Sequence, residues 1–318
     1  MSRYRTSPYA PFLLLGLVYL AASASIADAQ RWPPREAASS MDTTYRFQSN
    51  GIVEAEQVAG DITVTTWDRP EVRVRAWAEK GRVIADLSSN RVSLRVEGAR
   101  TARGGQDIGD SSFELTVPVG TRVRARSVSG NVDVRGTRSE VEASSVSGDI
   151  EVMDAMGITT ATSVSGEVRV ERVRGDLSMK SVSGNVSARD VEGDVRAASV
   201  SGEVTLDGLT SRMVNARSTS GNIEFSGAIG GDGRYEFTSH SGDVTLILPP
   251  EAGADVSTRT FSGRLDSSFP ITLGDSNGRR RRDTRTMDLT LGGGGGRISV
   301  RTFSGDVDIR GTLGRDRR

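Results

Sequence analysis

The amino-acid sequence predicts an all-β protein. It is expected to be a parallel β-solenoid with coils of about 18 residues, each coil built from two nine-residue strand–turn units. Three observations predict it. First, a hexamer Ser-x-Ser-Gly-(acidic or Asn)-aliphatic recurs, beginning at Ser127, Ser145, Ser163, Ser181, Ser199, Ser218 and Ser239, with divergent copies at Thr260 and Thr302. Second, the glycines of these copies are separated by 18, 18, 18, 18, 19, 21, 21 and 42 residues, a constant spacing followed by drift that marks stacked units. Third, a period of nine lies inside the eighteen. From 130 to 210 the third position of each nonamer reads Val132, Val141, Ile150, Thr159, Val168, Leu177, Val186, Val195 and Val204. The fifth reads Val134, Ala143, Val152, Ala161, Val170, Met179, Ala188, Ala197 and Leu206.

Alternation between positions three and five is the period-two pattern of a strand with one buried face. Position eight is also aliphatic in most copies, from Val146 to Leu209, and its offset implies a bend after position five. Glycine at position one supplies backbone freedom for the return. Nine residues hold a strand of about five residues and a tight turn, but no helix. Stacking at about 4.8 Å would pair each strand in parallel with its counterpart one coil away. A narrow two-sided interior suits Val and Ala better than Phe or Trp, in line with an aromatic content of 5%. A sandwich or barrel of repeated hairpins is the alternative that the same pattern allows. The β-branched bias and the missing helical period exclude a helical solenoid.

Taken in chain order, residues 1–29 read as a secretory signal. Arg3 and Arg5 form the basic start, 12–24 the apolar stretch, and Ala27-Asp28-Ala29 the small-x-small cleavage pattern, with the cut after Ala29. The apolar stretch is short for a spanning helix, and no other segment is long enough to cross a bilayer. The expectation is an exported chain in the periplasm, at the surface or released, with no stable membrane span after cleavage. Residues 30–44, with Pro33-Pro34, read as a linker. The solenoid domain is expected over 45–312. Longer alternating runs in 45–125, such as Val72-Arg73-Val74-Arg75-Ala76-Trp77, predict larger coils and an N-terminal cap, since solenoid ends expose strand edges. Regular repeats fill 126–226. Irregular coils follow over 227–312, carrying the loop 274–285 with Arg279-Arg280-Arg281-Arg282, and 313–318 is a tail.

Composition narrows the chemistry. With no Cys and a single His in 318 residues, disulfide scaffolds, thiolate zinc sites and Cys nucleophiles are excluded, and Ser-His catalysis is almost without parts. Balanced charge, 41 basic against 41 acidic residues, gives no support for nucleic-acid binding. The Gly-acidic pairs suggest calcium only superficially. Their polar position varies through Asn131, Asp149, Glu167, Asn185, Glu203, Asn222, Asp243 and Arg264, whereas calcium wants several converging carboxylates. Turn-forming Asx chemistry explains them better.

Gly274-Asp275-Ser276-Asn277-Gly278 matches a nucleophile elbow in letters but lacks the following helix. His240 replaces the usual Val of a repeat, and reads as a tolerated variant rather than a general base. Arg174-Gly175-Asp176 falls on an ordinary nonamer junction, so integrin-type recognition is not needed to explain it. Gly292 to Gly296 is a loop without the Lys-Ser/Thr of a phosphate cradle. The arginine run could attract an anionic polymer, and the serine columns could line a glycan, but a solvated loop and satisfied turns account for both.

The segments Gly60-Asp61-Ile62-Thr63-Val64, Phe113-Glu114-Leu115-Thr116-Val117-Pro118-Val119-Gly120 and Ser127-Val128-Ser129-Gly130-Asn131-Val132 carry a family resemblance, as does the ending Gly296-Arg297-Ile298-Ser299-Val300-Arg301-Thr302-Phe303-Ser304-Gly305-Asp306-Val307. Over roughly 45–312 the chain resembles the bacterial putative-adhesin family, exported domains of unknown function. The resemblance implies a β-solenoid-like fold at the cell envelope and supplies no catalytic residues. The expected function is therefore a non-enzymatic structural or adhesive scaffold that presents a repetitive β surface to an envelope polymer or protein. No catalytic, metal or cofactor residue is assigned. Unpaired strand edges at the ends would also allow end-to-end self-association. The alternatives are a carbohydrate-binding or carbohydrate-processing solenoid, and an envelope-stress component acting through a protein partner.

Overall fold

The computed structural model of the chain describes residues 36–100, 106–107, 109–269, 272–273 and 286–311, all of them strand, bridge, turn, bend or irregular backbone. The predicted signal segment, the cleavage site, the Gly274–Gly278 motif, the arginine run and the 313–318 tail lie outside the described residues.

Two parallel sheets run side by side along the stacking axis. One sheet contains Arg122–Ser129, Val141–Ser144, Thr159–Thr162, Leu177–Lys180, Val195–Ser199, Met213–Ser218 and Arg234–Ser239. The other contains Val132–Arg135, Ile150–Met153, Val168–Arg174, Val186–Glu192, Val204–Leu209, Ile223–Gly227 and Val244–Leu248. Register steps by eighteen: Val123, Val141, Thr159, Leu177 and Val195 are in line in the first sheet. Val132, Ile150, Val168, Val186 and Val204 are in line in the second. Positions three and five point inward, with Val168, Val186 and Val204 fully buried, so the β-solenoid with two strands per coil is what the chain forms.

Position eight has two fates. In the half-coils without the serine signature it is interior, as Thr137, Ala155, Val173, Val191 and Leu209. In the signature half-coils it stands on an outer corner, as Val128, Val146, Val164, Val182 and Val200. The glycine of the signature is needed for closeness rather than for an unusual φ. A Cβ on Gly166 would sit 2.0 Å from the carbonyl oxygen of Gly148. At the alternate junction, Gly157, Gly175 and Gly193 do use a positive φ near 140°. Another column, Gly136, Asp154, Arg172, Asp190 and Gly208, holds φ between 53° and 81°, the left-handed region that costs a non-glycine residue roughly 1–2 kcal/mol. Arg172 reaches Asp154 through Nε at 2.7 Å and Nη2 at 3.1 Å, and that contact holds the Asp154 carboxyl below its usual range.

The N-terminal end combines coils with an antiparallel cap. Ile52–Trp67 is itself a full coil that crosses both sheets, pairing with Arg122–Ser129 and then with Val132–Arg135. Outward of it, from segments on both sides of it in the chain, lie Glu36–Ala38, Arg82–Leu87 and Arg91–Glu97 as antiparallel neighbours on one sheet, and Ser40–Arg46, Glu71–Ala78 and Ser111–Pro118 on the other. Arg91–Glu97 and Ser111–Pro118 pair in parallel with the two halves of Ile52–Trp67 and so form a coil with a long connection, while the turn 88–90 folds Arg82–Leu87 back on Arg91–Glu97 as part of an antiparallel cap. Strands at Glu36–Ala38 and Ser40–Arg46 occupy most of the segment expected as linker, because the edges of Arg82–Leu87 and Glu71–Ala78 recruit it by backbone pairing.

At the other end spatial order departs from chain order. Arg234–Ser239 pairs with Gly296–Ser304, which in turn pairs with Ala254–Ser262. The second sheet repeats the order through Val244–Leu248, Val307–Gly311 and Leu265–Ser267. The outer edge of Ala254–Ser262 is covered by the antiparallel strand Thr286–Leu291, leaving only its inner edge for Gly296–Ser304.

Aromatic side chains also enter the interior, against expectation. Phe225, Tyr235 and Phe237 are fully buried, and the Phe225 ring lies 5.9 Å from Tyr235 and 5.2 Å from Phe237. These coils have the 19- and 21-residue glycine spacings. The added residues fall in turns, since Val195, Val214 and Tyr235 stay in register.

Candidate functional site

The corner between the two sheets is built by the serine signature. The first serine of each copy is buried, and from Ser145 to Ser218 it acts twice. Ser145 Oγ donates to the Gly130 carbonyl one coil back at 3.0 Å and accepts from the Gly148 amide at 2.9 Å. Ser163 and Ser181 repeat the pattern, donating at 3.1 and 3.0 Å. The next column binds coils through Asx oxygens. Asn131 Oδ1 accepts from the Asp149 amide at 2.9 Å, and Asp149 Oδ1 accepts from the Glu167 amide at 2.8 Å. These side chains spend their hydrogen bonds on the neighbouring coil, which gives the conspicuous Ser-Gly-Asp text a stacking role.

Between the two serines one side chain per coil points to solvent. Val58, Val128, Val146, Val164, Val182 and Val200 stand in successive coils, each 42–46% exposed. At about 4.8 Å per coil the valine ridge is roughly 24 Å long. The Val58 copy, Gln57-Val58-Ala59-Gly60, lacks both serines and escaped the motif. In its place Gln57 Nε2 donates to the Gly60 carbonyl.

Past Thr219 the same position becomes aromatic. His240, Phe303 and Phe261 form a stack, with His240 and Phe303 centroids 4.9 Å apart at 13°, and Phe303 and Phe261 4.7 Å apart at 3°. The interleaved coil order creates this stack by placing Phe303 between residues 240 and 261. All three occupy the x of Ser/Thr-x-Ser-Gly, so the sequence held the signal, but chain order hid which rings are neighbours.

Beside the stack is a cleft of about 780 Å³, lined by Arg217, Arg259, Arg301, Thr219, Thr238 and the rings. Arg217, Thr238, Arg301 and Arg259 share one register position on four adjacent strands. Earlier in that column Arg126 contacts Glu142 at 2.8 Å. Among the described residues no carboxylate lies within ion-pair distance of Arg217, Arg259 or Arg301. Nearby Glu236 accepts from Asn215 Nδ2 at 3.0 Å.

The other motifs fall into the lattice of coils. Arg174 pairs with Glu192 at 3.3 Å and Asp176 Oδ1 accepts from the Asp194 amide, so the Arg-Gly-Asp text is part of stacking. The Gly292 to Gly295 turn uses positive φ at Gly292, Gly294 and Gly295 and carries the chain across the end of Ala254–Ser262. Among the described residues no group of acidic or His side chains is placed to hold a metal ion, and no helix is long and apolar enough to cross a membrane.

A stacked two-sheet coil with a serine-glycine corner defines an all-β repeat class, and the comparison with family models places the chain within it. Residues 53–310 match the family described as Toastrack DUF4097, and the chain belongs to that family. One similar solved structure is a putative cell adhesion protein from Clostridium sporogenes ATCC 15579. It is 8% identical, with 86% of this chain and all of that one covered, at a TM-score of 0.23, a level on which nothing further rests. No curated protein matches the chain.

Proposed function

We propose that the protein is an exported, non-catalytic scaffold of the cell envelope that presents its repetitive β surface to a polymer or protein. The valine ridge carries this reading. Six coils place a β-branched apolar side chain at an exposed corner where Ser or Thr would satisfy the backbone equally well. A straight apolar rail of fixed spacing suits an extended partner, the usual service of repeat surfaces. The signal-like residues 1–29 support export, and the engagement of the first-serine hydroxyls in coil stacking supports a structural use of the repeat.

The experiment expresses the protein in bacterial cells, maps its N-terminus and measures co-sedimentation with purified envelopes in roughly 1 M salt, where screening within about 3 Å suppresses charge-driven contacts. The expected result is an N-terminus at Gln30 and saturable co-sedimentation. Replacing Val128, Val146, Val164, Val182 and Val200 by Ser should reduce that association at least about tenfold without lowering Tm by more than a few degrees. Retention in the cytoplasm, or undiminished binding by the five-serine variant, would overturn the reading.

A further inference from the structure

We infer that the arginine-lined cleft on the C-terminal coils is a binding site for a linear, carboxylate-bearing glycan of the uronate class. This names a polymer for the scaffold reading above and rests on it, but the cleft begins at the coil of the last ridge valine, Val200, and no ridge valine lines it.

Charge comes first. Three guanidiniums project from one register column on adjacent strands. Arg301 and Arg259 are on neighbouring strands about 4.8 Å apart, and Arg217 lies two strands from Arg301, roughly 10 Å away. Many outward arginines elsewhere are matched, as Arg126 is with Glu142, Arg135 with Glu151, Arg172 with Asp154 and Arg264 with Asp306, and those without an acid among the described residues, such as Arg138 and Arg196, do not line a cleft of this size beside stacked rings. At the cleft the matching acid is missing among the described residues, and the planar guanidinium fork is the side chain best suited to a carboxylate.

Ring geometry adds to the charge. Phe303 is stacked between His240 and Phe261, so both its faces are covered and its edge is what remains for a ligand. Aromatic edges carry the positive side of the ring quadrupole, which favours an anion or an electron-rich oxygen. Covered faces disfavour the base stacking that single-stranded nucleic acid uses. An acidic peptide in extended form would seek an unpaired strand edge, yet the four strands under the cleft are hydrogen-bonded to one another. A chain of hydroxylated, singly charged rings lying along the stacking axis meets the arginines, the ring edges and the hydroxyls of Thr219 and Thr238 together. The cleft volume, about 780 Å³, is within the usual range for a site that takes a small ligand or a few units of a polymer.

The test is calorimetric titration of the purified protein with oligogalacturonate, with uncharged dextran oligomers and poly-glutamate as comparison probes at the same salt. Saturable binding of oligogalacturonate is expected, with dextran and poly-glutamate each at least about tenfold weaker. The double variant Arg259→Ser, Arg301→Ser should lose at least about tenfold in affinity with Tm unchanged. The variant Arg259→Lys, Arg301→Lys should fall between, because it keeps charge and loses the fork. Phe303→Ser should weaken binding as well. No binding of oligogalacturonate, equal binding of dextran or poly-glutamate, or full affinity in the Arg-to-Ser protein would overturn the assignment. The five-serine ridge variant should bind oligogalacturonate normally. Loss of glycan binding with ridge-dependent envelope association intact would therefore fail this inference alone, and loss of envelope association would fail the scaffold reading.

Discussion

The regular coils of 126–210 and the C-terminal coils of 213–311 share a backbone plan and differ in what fills and decorates it. In the first region the interior is Val, Ala, Ile, Leu, Met and Thr, and the outer corner is a row of valines. In the second, Phe225, Tyr235 and Phe237 fill the interior, and rings replace valines at the corner. The change coincides with glycine spacings of 19 and 21 in place of 18. Extra residues go into turns such as 228–233, while strand register is kept. Coil length thus sets the space available inside, and side-chain size follows it. The signature glycines approach too closely for a Cβ in both regions; where turns are longer, a hydroxyl anchor such as Tyr235 holds the loop.

That contrast can be broken most forcefully in the regular region. Val186→Asp places an unpaired carboxylate among fully buried aliphatic groups and should cost about 4 kcal/mol or more, read as loss of cooperative urea unfolding. A melting curve equal to wild type would refute the interior as described.

A smaller effect separates the two kinds of glycine. Gly166→Ala drives a methyl against Gly148 backbone at 2.0 Å and should cost about 3 kcal/mol. Gly231→Ala, in a C-terminal turn with nothing within 4 Å of the new Cβ, should be neutral or stabilising by up to about 1 kcal/mol. Equal losses in the two proteins would show that close approach is not what the signature glycine provides.

The least costly change sharpens the account of the longer turns. Tyr235 Oη donates to the Ser211 carbonyl at 2.7 Å and accepts from the Gly230 amide at 2.9 Å. Tyr235→Phe should cost about 1–2 kcal/mol by leaving those groups unpartnered. Burial raises the phenol pKa above its ordinary 10.0. The folded state therefore keeps the proton more tightly than the unfolded chain. Its contribution is whole below pH 10 and declines as pH rises through 10 toward the raised value. Denaturant titrations between pH 8 and 11 should show that alkaline decline in wild type and a flatter profile in Tyr235→Phe.

Much of this architecture could be read from the text of the chain. Alternation at positions three and five identified Val168, Val186 and Val204 as interior, and the eighteen-residue step gave the parallel register. Position eight was ambiguous because an aliphatic residue there serves two geometries: Val173 and Val191 turn inward, Val164 and Val182 outward. The choice is made by the corner that follows, which only the three-dimensional path reveals. Residues 71–87 misled for another reason. An eight-residue alternating run has the same period in a wide coil and in an antiparallel hairpin, and partner direction is decided by turns. The ring stack stayed hidden because 240, 261 and 303 are neighbours in space in an order the chain does not follow. The missing acids around Arg217, Arg259 and Arg301 likewise belong to the folded surface and have no local signature.

The interleaved final coil has a consequence for biogenesis. Strand Gly296–Ser304 must slot between Arg234–Ser239 and Ala254–Ser262, both of which leave the ribosome before it. From about residue 122 an emerging chain can wind one turn after another up to about residue 248, and must then wait. The terminal lid has no seat until almost the last residue has been made, so completion of this rod is keyed to completion of synthesis, and a product truncated near residue 290 would keep a sound shaft and lose its entire tip.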